Sequence, residues 1–545
     1  MEDRERTTGR DRVSRRELLR LAGVTAGSLG LASLLEACTV GSPQATGSSA
    51  AATGGTVRLA IPGDPLMNPV VGNDASAIPF NRTIFSFLTK PDSADLQPRP
   101  DLAESWEHNA DNTAWTFKLR KDVKWSDGQA FSADDVKFSI ESHQDPANNS
   151  SLRTTMSVVD KMVTVDPFTI RFELKQPVGP FPTVVSYNAG IVPKHVLAGT
   201  DLTKNVDFNT KRPVSTGPYV IDEAVAGDHY SLKANPNYFG GKPKLDAVVF
   251  KVLNDVNTQV AQLKSGELDF AVIAPANLSA LEGSDAVKIV TSPYIGFYHL
   301  SFNYQHPLFK DKRVRQALVT AIDRPGIIKT VMLGKAQPGV TPFPPIFKWA
   351  FDSSLQPIPY DPNRAKQMLA ELGWTPGPDG ILQKDGQKFS FTLDADTADP
   401  ARQQSAVIAQ QNFKAIGVDA TLRLRPFAAY VPDLVGKKYE AHVGFWVLPP
   451  DPDFTNYYST GAGFNTINYS NPEIDRLIAE GRATSDVDQR KKAYFQMQKI
   501  MLDDVPGAVL FYPQDIQAMN KKLSGVPPLP FREALQYSSD WSLSR

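Results

Sequence analysis

Residues 389–396 read FSFTLDAD, residues 401–417 read ARQQSAVIAQQNFKAIG, and residues 418–424 read VDATLRL. In the first and third stretches apolar and polar residues alternate, which predicts two half-buried strands. In the middle stretch apolar residues recur at helical spacing as far as Gly417, a residue suited to ending a helix. A strand, a helix and a second strand in this order predict a βαβ unit with parallel strands, so we expect a mixed α/β fold.

The chain is too long for a single hydrophobic core. Its 545 residues, of which 41% are apolar, predict two or three domains. The 58 basic and 59 acidic side chains give a formal net charge of −1. Because nucleic-acid binding usually needs a clustered basic face, this balance predicts no nucleic-acid partner.

The N-terminal segment has the features of an export signal. Arg15 and Arg16 precede the apolar run 21–35, whose 15 residues are short for a membrane span but suit a signal peptide. Cys38, the only cysteine, follows at once. This pattern resembles a twin-arginine signal joined to a lipoprotein cleavage site, and implies removal of residues 1–37 and attachment of lipid to Cys38. The alternative is an uncleaved anchor helix with an incidental cysteine.

The segment after the cysteine resembles a flexible tether. Residues 39–55 read TVGSPQATGSSAAATGG and have neither charge nor periodicity. Together with Cys38 they predict a flexible tether, residues 38–55, between a membrane and the body of the protein. We therefore expect an extracytoplasmic lipoprotein of the cell envelope, either periplasmic or on the outer face of the cytoplasmic membrane.

Motifs for catalysis or metal binding are absent from the sequence. No two histidines stand at metal-ligand spacing on one helix, and no phosphate loop or nucleophile elbow occurs. The Asp-x-Asp pairs at 394–396 and 451–453 lack the Gly and Glu of a calcium loop. The sequence therefore predicts a binding protein without a cofactor or metal. A hydrolase that used a pair of carboxylates stays open as an alternative, because such pairs leave no sequence motif.

Several motifs follow one another in a characteristic order. They are LAESW at 102–106, AWTFKLR at 114–120, VKWSDG at 123–128, SADDV at 132–136, STGPY at 215–219, LKSGELD at 263–269, LSFN at 300–303 and FKDKRVRQAL at 309–318. Together they resemble the family 5 extracellular solute-binding proteins, which are the receptors of ABC importers for peptides, nickel and some oligosaccharides. The resemblance spans roughly 56–540. Most of these motifs also have structural roles; Ser132, for example, is a predicted helix cap.

The resemblance implies a bilobed periplasmic-binding-protein-like fold of type II, similar to cluster C, with an extra α/β subdomain at about 90–205. Lobe I would comprise 56–300 and 514–545, and lobe II 301–513, with crossings near 300–310 and 510–515. The implied partners are a small solute, most simply a peptide, and the transmembrane subunits of an ABC permease. We expect a monomer.

The solute is expected in the cleft between the lobes, where contacts to both lobes favour the closed state. The best local candidate is the buried strand 443–448 with its proline-rich exit, since α/β sheets bind ligands at the carboxyl ends of strands. In peptide-binding relatives an aspartate of this loop pairs with the α-amino group of the ligand. Here Pro449 and Pro450 stand near that position, so either Asp451 substitutes or the solute is not a peptide.

The candidate ligand-binding residues are Met67, Asn68, Phe302, Asn303, Phe347, Trp446, Asp451, Asp453, Tyr457 and Phe464. For Asp451 and Asp453 a turn beside Pro452 is an equal alternative, and for Trp446 it is packing in the core. The predicted function is an import receptor for an oligopeptide or a solute of similar size. A receptor for a sugar or a metal chelate, and a receptor that signals to a sensor, are the alternatives.

Overall fold

The computed structural model describes residues 54–544. The predicted signal peptide with Arg15 and Arg16, and the predicted lipidation site Cys38, lie outside the described residues. Of the predicted tether 38–55, only the last two residues are described.

Strands and helices alternate along the described residues. The strands are β1 Thr56–Ile61, β2 Thr89–Pro91, β3 Pro98–Pro100, β4 Ala103–His108, β5 Ala114–Leu119, β6 Val159–Asp166, β7 Thr169–Leu174, β8 Tyr219–Val225, β9 His229–Ala234, β10 Ala247–Val252, β11 Phe270–Val272, β12 Val287–Pro293, β13 Gly296–Phe302, β14 Ala336–Pro338, β15 Thr375–Pro376, β16 Leu382–Lys384, β17 Gln387–Lys388, β18 Ser390–Asp396, β19 Asp419–Arg425, β20 Ala441–Val447, β21 Gly507–Asn520, β22 Leu523–Ser524 and β23 Ser542–Leu543. The helices are α1 Ala77–Ile84, α2 Ala133–Gln144, α3 Arg153–Met156, α4 Phe181–Val184, α5 Lys194–Leu197, α6 Val206–Thr210, α7 Val256–Ser265, α8 Leu278–Leu281, α9 Lys312–Thr320, α10 Arg324–Val331, α11 Pro362–Glu371, α12 Pro400–Ala415, α13 Phe427–Val435, α14 Thr455–Tyr458, α15 Pro472–Ala483, α16 Val487–Asp504 and α17 Phe531–Ala534.

A sheet of twelve strands forms the frame of the molecule. Its main order is β19-β18-β20-β13-β21-β11-β1-β10-β9-β8, and β12 and β14 also pair with β21. The first half of the 14-residue strand β21 is antiparallel to β13, and its second half is antiparallel to β12. One continuous strand therefore joins the two parts of the sheet.

The chain passes between these two parts twice. One crossing lies at 513–514 within β21, inside the predicted interval 510–515. The other lies at 294–295, between β12 and β13, and is earlier than the predicted 300–310. The reason is that β13 pairs with β20 on one side and β21 on the other, with every residue buried, so it belongs wholly to the second part.

The βαβ unit predicted from residues 389–424 is confirmed. Strands β18 and β19 pair in parallel, and α12 connects them. The carboxylate of Asp399 accepts a hydrogen bond from the backbone N–H of Ala401 at 2.8 Å, which caps the first turn of α12. Gly417 has φ +82° directly after the helix, a conformation that glycine adopts without strain. The predicted mixed α/β class is thus present in the structure.

A second, four-stranded antiparallel sheet stands apart from the large one. Its order is β4-β5-β7-β6, α2 packs against it, and it lies within the predicted subdomain 90–205. Trp115, Phe117 and Phe172 are buried in a core of its own. Helix α2 begins directly after Ser132 as predicted, and the Asp135 carboxylate accepts a hydrogen bond from the Ser132 N–H at 2.9 Å.

The buried apolar side chains divide differently from the predicted lobes. Residues of 298–332, 365–443 and 505–511 form one cluster. Residues of 343–350 and 448–501 instead share a cluster with β1 and β10. The lobe boundaries drawn from the sequence stay a prediction. Within residues 54–544 no helix combines the length and apolarity needed to cross a bilayer, and no three side chains of metal-binding type are grouped.

Two histidines lie side by side in the interior of the large sheet. The rings of His299 on β13 and His442 on β20 have centroids 5.1 Å apart. The Nδ1 atom of His442 is 2.7 Å from the hydroxyl of Tyr430. Burial lowers the pKa of His442 to about 3 and holds that of His299 well below its ordinary value. Both rings are therefore neutral in the folded protein.

We predict that this burial makes the fold sensitive to acid. The neutral ring of His442 stabilises the fold above the unfolded pKa of about 6.5, and this stability is lost as the pH falls from there toward its folded pKa. The loss is about 1.4 kcal/mol per pH unit for each such histidine. Glutamine at position 442 cannot titrate, so in His442→Gln the free energy of unfolding should fall less steeply with pH, by about 1.4 kcal/mol per pH unit. Urea unfolding between about pH 6.5 and 4.5 measures this slope.

His229→Gln is the control. The carboxylate of Asp228 raises the pKa of His229, so this ring favours the folded state in acid and its removal should not flatten the decline. Equal slopes for the wild type and His442→Gln would contradict the prediction.

Candidate ligand-binding cleft

A cavity of about 560 Å³ lies between the four-stranded subdomain and the loop that follows β20. This size falls within the roughly 300–1,000 Å³ typical of sites for small ligands. The lining comes from residues 73–78, 151–158, 175–188 and 447–464, with Arg482 from α15 and Arg532 from α17. The walls thus come from parts of the chain that are hundreds of residues apart.

Hydrogen bonds join the subdomain to the end of α15, next to the cavity-lining residue Arg482. The backbone N–H of Gly179 donates to the carbonyl of Arg482 at 2.7 Å. The side-chain amide of Asn112 donates to the carbonyl of Ala483 at 3.1 Å. A β-carbon added at Gly179 would lie only 1.8 Å from the carbonyl oxygen of Thr484, so this approach requires glycine.

Asp451 lines the cavity, but its charge is already compensated. Arg490 on α16 donates to its two carboxylate oxygens at 2.6 and 2.8 Å, and both side chains are buried. The guanidinium also donates to the carbonyl of Gly481 and the hydroxyl of Tyr494, each at 3.0 Å. Although burial opposes its charge, Asp451 raises the pKa of Arg490 above the ordinary value. This pair anchors the loop after β20 to α16.

Asp453 is held in a similar way. Its carboxylate accepts a hydrogen bond from Arg482 at 2.7 Å and one from the backbone N–H of Thr455 at 3.0 Å, at the start of α14. Turn formation and charge pairing therefore account for both acids of the Asp-Pro-Asp segment. In this structure neither carboxylate is left unpaired to meet a ligand amine.

Three aromatic side chains cluster at one part of the cavity wall. The rings of Tyr457 and Phe464 are stacked with centroids 5.9 Å apart, and Trp446 meets Tyr457 edge to face at 5.1 Å. Tyr457 and Phe464 line the cavity directly, and half of the Phe464 surface is exposed. Trp446 is half-buried behind them. The structure therefore brings five of the ten sequence candidates to the cavity or its wall.

The other candidates lie elsewhere. Met67, Phe302 and Phe347 have no exposed surface and are packed in the hydrophobic clusters, where they have no access to a solute.

The amides of Asn68 and Asn303 are occupied by the protein itself. Asn68 donates to the side chain of Asn209 at 3.1 Å. Asn303 donates to the carbonyls of Lys437 and Tyr439 at 3.1 and 2.8 Å. The structure thus gives these two residues a role in connecting loops and not in lining the cavity.

Residues that the subdomain and the C-terminal segment contribute to the cavity were not predicted from the sequence. Lys175, Tyr187, Asn188, Arg482 and Arg532 all line the cavity. No sequence motif marks them, since each reaches the cavity only through the packing of distant segments. Arg482 alone has a local feature, since it is the basic residue in the last turn of α15, where the helix dipole favours a positive charge.

Comparisons with known proteins place the chain among binding proteins. The family model described as the middle part of bacterial extracellular solute-binding proteins, family 5, matches residues 97–466. The oligopeptide-binding protein AppA of Bacillus subtilis is 33% identical over 501 residues, which are 90% of this chain and 92% of AppA.

Two solved structures are similar over almost their whole length. The structure of Bacillus subtilis AppA in complex with a nonapeptide has a TM-score of 0.78 at 30% identity, covering 91% of this chain and 100% of AppA. The structure of NikZ from Campylobacter jejuni in complex with Ni(L-His) has a TM-score of 0.76 at 28% identity, covering 89% and 99%. These likenesses confirm the predicted fold class.

We predict that Arg490→Met destabilises the protein by about 3–5 kcal/mol, because it leaves the Asp451 carboxylate buried and unpaired. Arg476→Met removes an arginine from an exposed pair with Glu473 and should lower stability far less. Both values can be measured by urea unfolding at neutral pH. Asp451→Asn should also lower stability; if it leaves stability unchanged while abolishing ligand binding, the structural role assigned to the pair is wrong.

Proposed function

We propose that this chain, which belongs to family 5 of the bacterial extracellular solute-binding proteins, is the receptor of an ABC importer and binds an oligopeptide. The observation that carries the proposal is the 560 Å³ cavity, whose walls come from the subdomain on one side and the loop after β20 on the other. The proposed receptor takes up its solute, presents it to the permease and does no chemistry on it.

The nonapeptide in the structure of AppA supports the choice of a peptide, since that protein is similar over nine-tenths of this chain. The nickel–histidine complex in NikZ supports a metal chelate as second candidate. The aromatic wall formed by Trp446, Tyr457 and Phe464 suits apolar side chains. The cavity accordingly offers both apolar and polar contacts to a small solute.

Binding in this proposal is coupled to closure of two lobes, with 56–300 and 514–545 in one and 301–513 in the other. Strand β21 and the β12–β13 connection run between the two parts of the large sheet and are the natural hinge. A solute that contacts both walls favours the closed state by the difference between its affinities for the closed and open states. The hydrogen bond from Gly179 to Arg482 belongs to that closed state.

The proposal extends to the location of the protein. The N-terminal segment with Arg15 and Arg16 would direct export, and lipid on Cys38 would hold a monomeric receptor beside the transmembrane subunits of its permease. The predicted tether, 38–55, would leave the body free to move near the membrane. A mature N-terminus at Cys38 carrying a diacylglycerol mass is the observation that tests this part.

The direct test is the unfolding midpoint of the purified protein in the presence of defined solutes. We expect mixed tri- and tetrapeptides to raise the midpoint, because a solute that binds only the folded state stabilises it by mass action. Oligosaccharides and Ni(L-His) serve as competing classes. Stabilisation by Ni(L-His) alone would favour the second candidate. If no class raises the midpoint, and no small molecule is released when the protein is denatured, the receptor function is refuted.

We predict that Gly179→Ala prevents full closure. The added methyl group would overlap the backbone at Thr484, so peptide affinity should fall at least about tenfold while the fold persists. Small-angle scattering should show the wild type contracting with peptide and the variant contracting less. Gly63→Ala is the matched control, because its nearest neighbour would be a hydroxyl at an ordinary 3.6 Å. Wild-type affinity in Gly179→Ala would show that this contact does not belong to the closed state.

A further inference from the structure

We propose that the cleft selects a solute that carries a carboxylate, and that the guanidinium of Arg532 binds this group. The inference rests on the proposed function of the same cavity and specifies the charge of its solute. It follows from the balance of charges on the cavity wall and from the contacts of one arginine.

The cavity wall has more positive than negative charge. Three cations and two carboxylates line it: Lys175, Arg482, Arg532, Asp451 and Asp453. Each carboxylate is neutralised by an arginine of its own, Asp451 by Arg490 behind the wall and Asp453 by Arg482. Lys175 and Arg532 have no ion-pair partner: no carboxylate of residues 54–544 lies within 4.0 Å of either.

Arg532 is half-buried and differs from the buried arginines in its hydrogen bonds. Arg315 donates four hydrogen bonds to backbone carbonyls, and Arg490 donates to a carbonyl, a hydroxyl and both oxygens of a carboxylate. Among the described residues Arg532 has one partner, the hydroxyl of Tyr294, at a long 3.3 Å. A guanidinium has five N–H donors, so most of those of Arg532 are available to a ligand.

The nearest acids do not fill this role. Glu533 is buried in a pair with Arg82 at 2.8 Å. Asp515 accepts hydrogen bonds from the side chain of Gln517 at 2.9 Å and from the backbone N–H of Phe531 at 2.7 Å. Both acids are thus engaged with other groups, and neither contacts Arg532.

These neighbours nevertheless keep Arg532 charged. Burial opposes its charge, but Tyr294, Tyr187, Glu533 and Asp515 outweigh that effect and raise its pKa above the ordinary value. Arg532 is half-buried at the cavity wall, and a planar guanidinium matches a carboxylate with two parallel hydrogen bonds. A carboxylate on the solute could therefore accept hydrogen bonds that no carboxylate or carbonyl of the described residues accepts from Arg532.

The two ends of a peptide should then contribute unequally. An amino terminus would meet no uncompensated acid on the wall, since Asp451 and Asp453 are paired. A carboxyl terminus, or a glutamate side chain, would meet Arg532 directly, with Lys175 at the rim adding a second positive charge.

The experiment compares four forms of one mixture of tetrapeptides without acidic residues: unmodified, N-acetylated, C-amidated and doubly modified. Affinities are measured by calorimetry on the wild-type protein. We expect amidation to weaken binding about tenfold or more and acetylation to weaken it less than about threefold, because only the carboxylate has an unpaired counter-charge. Amidated peptides that contain one glutamate should regain affinity if a side-chain carboxylate serves equally well.

Two variants assign the effect to Arg532. Arg532→Gln should bind the unmodified and amidated forms equally, and Arg532→Lys should retain part of the preference through its charge. Arg476→Gln removes an exposed arginine of α15 that does not line the cavity, and should behave as the wild type. Even if Arg532→Gln does not fold, the comparison of peptide forms on the wild-type protein tests whether the cleft selects a carboxylate.

The outcomes separate this inference from the proposed function. If the amidated and unmodified peptides bind the wild type equally well, the selection of a carboxylate is refuted while the peptide receptor stands. If amidation weakens binding to Arg532→Gln as much as to the wild type, another group binds the carboxylate and the assignment is wrong. If no form binds, the proposed function itself fails.

Discussion

The shared strand β21 is the constraint on which the rest of the structure depends. Its first half is hydrogen-bonded to β13 and its second half to β12, so both parts of the large sheet share one backbone. Pro513, at the junction, has a restricted φ and no N–H to donate. In the proposed closure, the two parts would rotate about this strand and the short β12–β13 connection.

Two ion pairs within the protein hold the cavity wall in place. Asp451 and Arg490 join the loop after β20 to α16, and Asp453 and Arg482 join the same loop to α15. Rigid walls lower the ordering cost of binding, because fewer side chains must be immobilised. Because both acids are paired, the charge on the cavity wall that has no ion-pair partner is positive. It comes from other segments, chiefly from Arg532.

Features that depend on neighbouring residues were predictable from the sequence. The starts of α11 and α15 follow Asp361-Pro362 and Asn471-Pro472 because the cap and the proline act within one turn. Glycine often ends a helix, but α15 continues past Gly481 to Ala483. A β-carbon at Gly481 would lie 2.4 Å from the Tyr494 ring, so this glycine permits close packing on α16 and does not end the helix.

The sequence by itself determined the α/β class, the βαβ unit, the starts of α2, α11 and α15, the aromatic and acidic loop after β20, and the family motifs. All of these are set by hydrogen bonds and apolar periodicity over a few residues. Only the tertiary structure decided that Met67, Phe302 and Phe347 are core residues and that Lys175 and Arg532 face the cavity. Pairing of Asp451 with Arg490 was likewise decided there. The physical reason is that charge compensation and exposure depend on which distant segments pack together, and no local pattern records that.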